Sequence, residues 1–268
     1  MTSFTMGPAL LFCPADRPDR FAKAAERADA VILDLEDAVA PAAKAAARRA
    51  LVAGSLDPGR TIVRLNPADG PEFADDLAAV ARTGYGTLML AKTASASQVG
   101  ALAGFDVVAV VETAAGVVAV DEIAAAPNVV ALLWGADDLV ASLGGTSSRF
   151  PDGRYRDVAR HARSAVLLAA GAHGKAAIDA VHLDIADGDG LAAEAADAAA
   201  SGFRASACIH PSQVAVIRAA YRPSSHDVAW ARSVLAAAVG QRGVFRWHDQ
   251  MIDGPILKHA EEVLRRAR

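Results

Sequence analysis

At 268 residues, 53% of them hydrophobic and 22% charged, the chain can bury a large core in one or two domains, and α/β barrels reach this length as a single domain. A formal net charge of −4 with no long Lys/Arg run leaves no electrostatic footprint for nucleic acid or an anionic membrane, although local basic patches for a phosphorylated ligand stay open. The two cysteines, Cys13 and Cys208, are too few for a disulfide framework or a Cys-rich zinc site, and in apolar strand-like segments they read as small buried hydrophobes.

The start "MTSFTMGPAL" has no basic stretch leading into an apolar one, and the Ala/Val-rich stretches elsewhere are interrupted by charge, so a cytoplasmic protein is expected. Short apolar runs then recur at regular intervals. In order they are "ALLFCP" (9 to 14), "AVILDLED" (30 to 37), "TIVRLN" (61 to 66), "YGTLMLAK" (85 to 92), "DVVAVVET" (106 to 113), "VVALLWGADD" (129 to 138), "AAIDAVHLD" (176 to 184) and "RASACIHP" (204 to 211). Between them lie segments with the Ala, Glu, Lys and Arg content of surface helices, such as "PDRFAKAAERA" and "GLAAEAADAAASG", with Gly202 as a helix stop. Eight strands alternating with helices predict a (β/α)₈ barrel over residues 1 to 220, its strands buried on both faces.

A doubly wound sheet is the rival fold. Its dinucleotide fingerprint has one near match, Gly188, Gly190 and Ala193 in "DGDGLAA", but the flanking Asp187 and Asp189 would repel a pyrophosphate, so a turn is expected there. Residues 221 to 268 exceed what barrel closure needs. They predict a C-terminal helical extension, with a helix near 225 to 240, acting as a lid or an oligomer contact.

In such a barrel the site lies at the C-terminal ends of the strands. There the sequence places Asp34, Glu36 and Asp37 after strand two, Arg64 and Asn66 after strand three, Lys92 after four, Glu112 after five, Asp137 and Asp138 after six, His182 and Asp184 after seven, and His210 after eight. Packing alone gives no reason to gather so many charges at one rim. Chain order brings Glu112 close to one of the aspartates, and a hard divalent cation such as Mg²⁺ would remove the repulsion between two carboxylates. The other reading pairs Glu112 with Arg64 or Lys92 as a structural bridge and leaves both aspartates as helix caps. Arg64 suits an anionic substrate group or an ion pair. Lys92 suits a Schiff-base aldolase or an ion pair. His182 and His210 read as rim hydrogen-bonders or bases, and Trp134 as packing.

Taken together and in order, "LLFCPADRPDRFAKA", "VILDLEDAVAPAAKAAAR", "VRLN", "VVAVVETAAGV", "WGADDLVASLG" and "QMIDGP" resemble the citrate lyase β-subunit-like proteins of the HpcH/HpaI aldolase superfamily nearly end to end. The resemblance implies a Mg²⁺ site on Glu112 and Asp138, with Arg64 holding the carboxylate of an oxo-acid or hydroxyacyl substrate. It places Glu36 and Asp37 behind the metal ligands, turned toward the metal's water. Relatives bind coenzyme A thioesters, which makes Arg17, Arg20 and Lys23 candidates for its phosphates; surface solvation is the other reading. Asp253 matches an Asp that, in related malyl- and citramalyl-CoA lyases, reaches a neighbouring subunit and handles the proton on the acetyl carbon. As Asp before Gly-Pro it also reads as a helix cap.

The implied activity is a Mg²⁺-dependent 3-hydroxyacyl-CoA lyase of the malyl-, citramalyl- or hydroxymethylglutaryl-CoA type, in a homotrimer. Three other readings stay open: a metal-dependent pyruvate aldolase without coenzyme A, a citrate lyase β subunit working on an acyl-carrier protein, and a non-enzymatic thioester-binding barrel.

Overall fold

The computed structural model describes residues 4 to 267. Eight strands, hydrogen-bonded in chain order, close into a parallel barrel. They are β1 (Ala9–Pro14), β2 (Ala30–Asp34), β3 (Thr61–Leu65), β4 (Thr87–Leu90), β5 (Asp106–Val111), β6 (Val129–Trp134), β7 (Ala176–Asp179) and β8 (Ala205–Cys208). Each falls inside one of the eight apolar runs read from the sequence.

The weak alternation of those runs has a simple cause. Leu10, Ile32, Ile62, Met89, Val108, Val110, Leu133 and Ile178 fill the barrel interior, while Leu11, Leu33, Val63 and Leu132, of opposite parity, are equally buried. Both faces are therefore apolar, as a wall covered by helices requires. Cys13 and Cys208 are buried and form no disulfide, and burial pushes the Cys13 thiol up to about 11, which leaves it inert.

The runs overshoot the strands at the rim. Strand β2 stops at Asp34 because that carboxylate accepts the N–H groups of Glu36 (2.8 Å) and Ala38 (3.1 Å), turning the backbone out of the ladder. Glu36 and Asp37 thus stand on a loop, and Asp137 and Asp138 lie in the first turn of the helix Ala136–Ser142, whose N-cap is Gly135 with no side-chain cap. The reading of both aspartates as caps is corrected accordingly. Their charge favours that helix end through the backbone dipole instead. The "DGDGLAA" segment is no dinucleotide loop: Asp187 caps the helix Gly188–Ser201 by accepting the N–H of Gly190, and Gly202 ends that helix at φ 110°.

The chain divides into two compact units, one ending at Ile217 and one starting at Arg218. The second holds the helix Ser225–Ala238, opened by a Ser224/Asp227 capping box, and the helix Gly254–Arg266. Between them stands an antiparallel hairpin, β9 (Phe245–Trp247) and β10 (Gln250–Ile252), which the helical expectation for this region did not include. Its core is small: Ala231, Val234, Ile252, Ala260 and Val263. Among the described residues no helix is long and apolar enough to cross a membrane.

Candidate active site

The parallel register sets Asp34 beside Arg64 on neighbouring strands. Asp34, fully buried, takes a bidentate bond from Arg64 Nε (2.7 Å) and Nη2 (2.6 Å), while Arg64 Nη1 lies 3.0 Å from Glu36 Oε2. The guanidinium also rests 4.7 Å from the centre of the Phe12 ring. Burial works against its charge, but the bonds and charge of Asp34 and the charge of Glu36 outweigh it, so Arg64 is held protonated more firmly than a free arginine.

Lys92 follows β4 with φ 51°. Its ammonium contacts Glu36 Oε1, Asp37 Oδ2 (3.1 Å) and Asp138 Oδ1 (3.5 Å). Burial alone would lower its pKa, yet the hydrogen bond and charge of Glu36 raise it. An amine nucleophile needs the opposite shift, so this geometry speaks for the ion-pair reading of Lys92 over the Schiff base. Burial pushes Glu36 up despite Arg64 and Lys92, whereas at the exposed Asp37 burial, the largest single cause, is outweighed by Lys92, Glu36 and Arg64 together, which lower it.

Glu112 is 4% exposed and accepts the backbone N–H of Lys92 at 2.9 Å. Burial, and next the negative charge of Asp138, push its carboxyl up to about 7. The helical turn separates the two adjacent aspartates: Asp138 faces Lys92 and Glu112, while Asp137 turns to the hydroxyl of Ser148 (2.8 Å). Gly135 underlies the pair, because a Cβ there would meet Glu112 Oε2 at 2.8 Å and Glu112 Cβ at 2.9 Å. The sequence reading passed over Gly135, although its place between strand and acids was the signal.

Five carboxylates, Asp34, Glu36, Asp37, Glu112 and Asp138, therefore share two cations, Arg64 and Lys92. Among the described residues no three His, Cys, Asp or Glu side chains form a metal-holding group. Two hard oxygen donors that repel each other, one raised to about 7 by burial and then by that repulsion, nevertheless fit Mg²⁺, which takes one or two carboxylates.

A second buried network lies beneath this rim. Lys44, on the Ala-rich helix Lys44–Ala53, donates to the carbonyls of Leu35 and Glu36 (both 2.7 Å) and to Asn66 Oδ1 (2.8 Å). Asn66 in turn donates to Asp76 (2.7 Å), which takes Arg48 at 2.8 Å. This network fixes the loop that carries Glu36 and Asp37. Lys44 escaped the sequence reading because a lysine among alanines looks like a surface residue.

The other rim residues stand apart from the acid cluster. His182 bonds Glu194 through Nδ1 (2.9 Å), and His210 pairs with Ser212 (2.7 Å). Trp134 is packed and also donates to Asp179 at 2.6 Å. Asp137, Ser148, Arg149, Asp179 and His182 line a separate polar cavity of about 1050 Å³. Arg17, Arg20 and Lys23 are exposed after β1, Arg17 pairing with Asp19 at 3.2 Å. Asp253, in the second unit, caps the helix Gly254–Arg266 by accepting the N–H of Ile256 at 3.3 Å.

A closed eight-stranded barrel with carboxylates and an arginine at one rim is the architecture of a TIM-barrel carbon–carbon lyase, and residues 155–268 match C-C_Bond_Lyase of the TIM-Barrel fold. Residues 9–211 match HpcH/HpaI aldolase/citrate lyase, and the chain belongs to this family of carbon–carbon lyases. It is 60% identical to the citrate lyase subunit beta-like protein of Mycobacterium tuberculosis over 97% of this chain and 96% of that protein. It is 33% identical to the L-malyl-CoA/beta-methylmalyl-CoA lyase of Cereibacter sphaeroides over 96% of this chain and 93% of that one. The crystal structure of CitE from M. tuberculosis in complex with magnesium, acetoacetate and coenzyme A superposes with a TM-score of 0.94, at 60% identity over 98% of both chains.

Proposed function

We propose that the chain is a Mg²⁺-dependent lyase that cleaves a 3-hydroxyacyl-coenzyme A thioester of the malyl-, citramalyl- or hydroxymethylglutaryl-CoA type to acetyl-CoA and an oxo-acid. The observation that carries this reading is the pairing of Glu112 with Asp138 opposite Arg64, which makes them the candidate metal ligands. The magnesium and coenzyme A bound in the M. tuberculosis CitE crystal and the activity named for the C. sphaeroides relative support it.

A Mg²⁺ ion held by Glu112 and Asp138 would neutralise their repulsion and polarise a substrate oxygen where negative charge develops. Arg64 orients the substrate: Asp34 takes two of its five N–H groups and Glu36 lies 3.0 Å from Nη1, and the remaining N–H groups are what the guanidinium offers a substrate carboxylate. Glu36 and Asp37, tied to Arg64 and Lys92, keep those cations in place. In the reaction the hydroxyl proton passes to solvent water, its oxygen becomes the carbonyl of the oxo-acid, and the electrons of the breaking carbon–carbon bond pass into the acetyl-CoA enolate. Asp253, reaching from a neighbouring subunit of a homotrimer, returns a proton to the enolate carbon. Arg17, Arg20 and Lys23 bind the coenzyme A phosphates.

The test is cleavage of malyl-, citramalyl- and hydroxymethylglutaryl-CoA with Mg²⁺ and after chelation, alongside free oxo-acids as substrates. Cleavage of a thioester that chelation stops is the expected result, with Glu112→Ala and Asp138→Ala folded by circular dichroism but inactive. Normal turnover in either variant would remove the ligand assignment. Turnover of free oxo-acids but of no thioester would replace the reading with a pyruvate aldolase.

A further inference from the structure

Lys92 is the one non-glycine residue of the barrel unit, among those described, with a left-handed backbone. A side chain enters that region at a cost, and such residues persist where their surroundings leave no other arrangement. The surroundings here are explicit. Thr93, fully buried, donates its hydroxyl to the Leu90 carbonyl (2.8 Å) and its N–H to the Val110 carbonyl (2.9 Å). A Cβ on Gly116, in the short helix Ala114–Val118, would stand 2.3 Å from the Thr93 carbonyl oxygen, so only glycine lets that helix close on the turn.

The turn gives one residue two directions of contact. The Lys92 N–H points to Glu112 Oε1, and its ammonium reaches Glu36, Asp37 and Asp138. An extended backbone at this position would send the N–H and the side chain elsewhere. An ammonium is a compact charge with three donors, which suits three carboxylates.

We propose that Lys92 is a positioning residue of this site: its left-handed backbone orients Glu112, and its ammonium spaces Glu36, Asp37 and Asp138 and tempers the hold of the acid pair on a divalent cation. The inference rests on the Mg²⁺ reading above. Removing the ammonium makes the rim more negative, so a cation binds more tightly, while the carboxylates lose the group that spaces them and turnover falls. General damage to the fold would lower both.

The experiment is calorimetric titration of the full-length, substrate-free protein with MgCl₂, with steady-state kinetics on the thioester that the wild type cleaves. Lys92→Met is expected to bind Mg²⁺ several-fold more tightly, with kcat reduced at least about tenfold. Lys92→Arg should keep Mg²⁺ affinity within about twofold of the wild type and recover part of kcat, since it retains the charge. Lys92→Gly, which adopts positive φ freely, should melt about 2–4 °C above Lys92→Ala, reversing the usual order of the two. Unchanged or weaker Mg²⁺ binding in Lys92→Met, or unchanged turnover, would overturn the role of the ammonium. A Lys92→Ala variant as stable as Lys92→Gly would overturn the backbone part. A wild type that binds no Mg²⁺ would remove the metal reading itself, whereas a wild type that binds it beside insensitive variants would remove only the role of Lys92.

Discussion

A carboxyl group raised to about 7 in the interior is a stability statement as well as a chemical one. Folded Glu112 holds its proton more tightly than the unfolded chain does, so the metal-free protein is favoured below about pH 4.5 and loses that contribution as pH rises through about 7. The loss is on the order of 3 kcal/mol. Denaturant titrations of chelator-treated protein at pH 5 and pH 7.5 should show it, and Glu112→Gln should reduce the difference. If wild type and variant change alike, the raised carboxyl is not there. Gly135→Ala is expected to displace the Glu112 carboxylate and, because Glu112 Cβ moves only with its backbone, to lower the melting temperature while cutting Mg²⁺-dependent turnover by about a hundredfold, as measured by kcat and melting.

At this scale the sequence was legible in residue type and blind to direction. It placed Glu112, Asp138 and Arg64 at strand ends, and the structure brings them to one rim. It could not say that Asp137 would turn to Ser148, because that follows from the angle of a helical turn which begins only at Ala136.

Among the elements, strands were readable because a wall buried on both faces demands continuous apolar runs. Their ends were not, since a side-chain hydrogen bond such as Asp34 to the Glu36 N–H, invisible to hydropathy, stops the ladder. The hairpin of residues 245 to 252 was missed for a related reason: its turn residues, His248 and Asp249, take φ 41° and 33° without the Asn-Gly or Gly signal that usually marks such a turn. Lys44 gives the prediction that belongs here. Replacing it by Met takes the donor from the Glu36 carbonyl and from Asn66 Oδ1, while the Leu35 carbonyl keeps the bond from Asn66 Nδ2 (2.9 Å), and should destabilise the protein by about 2–4 kcal/mol in denaturant titration. A change under about 0.5 kcal/mol would mean that the helix Lys44–Ala53 does not anchor the Glu36 loop.

The whole chain joins a large barrel to a unit of about fifty residues in whose core, among the described residues, only five small or medium side chains are buried, with larger ones such as Trp230 and Phe245 packed against them half-buried. So few buried groups seldom hold a fold alone. A peptide of residues 218 to 268 is expected to lack a cooperative thermal transition by circular dichroism, and a sharp melt would show that it folds by itself. Sedimentation should give the homotrimer proposed above. Mixed Asp253→Asn and Glu112→Ala subunits should then regain part of the activity that each lacks, because some sites would combine an intact acid pair with an intact Asp253. Mixtures as inactive as their components would confine Asp253 to its helix cap.

The hydrogen-only position beneath Glu112 bears on how such a centre could be moved to another scaffold. Because the wall at Gly135 and the Lys92 amide leave that carboxylate a single orientation, it does not have to be ordered when a ligand arrives, a cost of about 0.5–1.5 kcal/mol for a free side chain. Two acids transplanted onto a different barrel without that floor would have the right chemistry and a slacker grip.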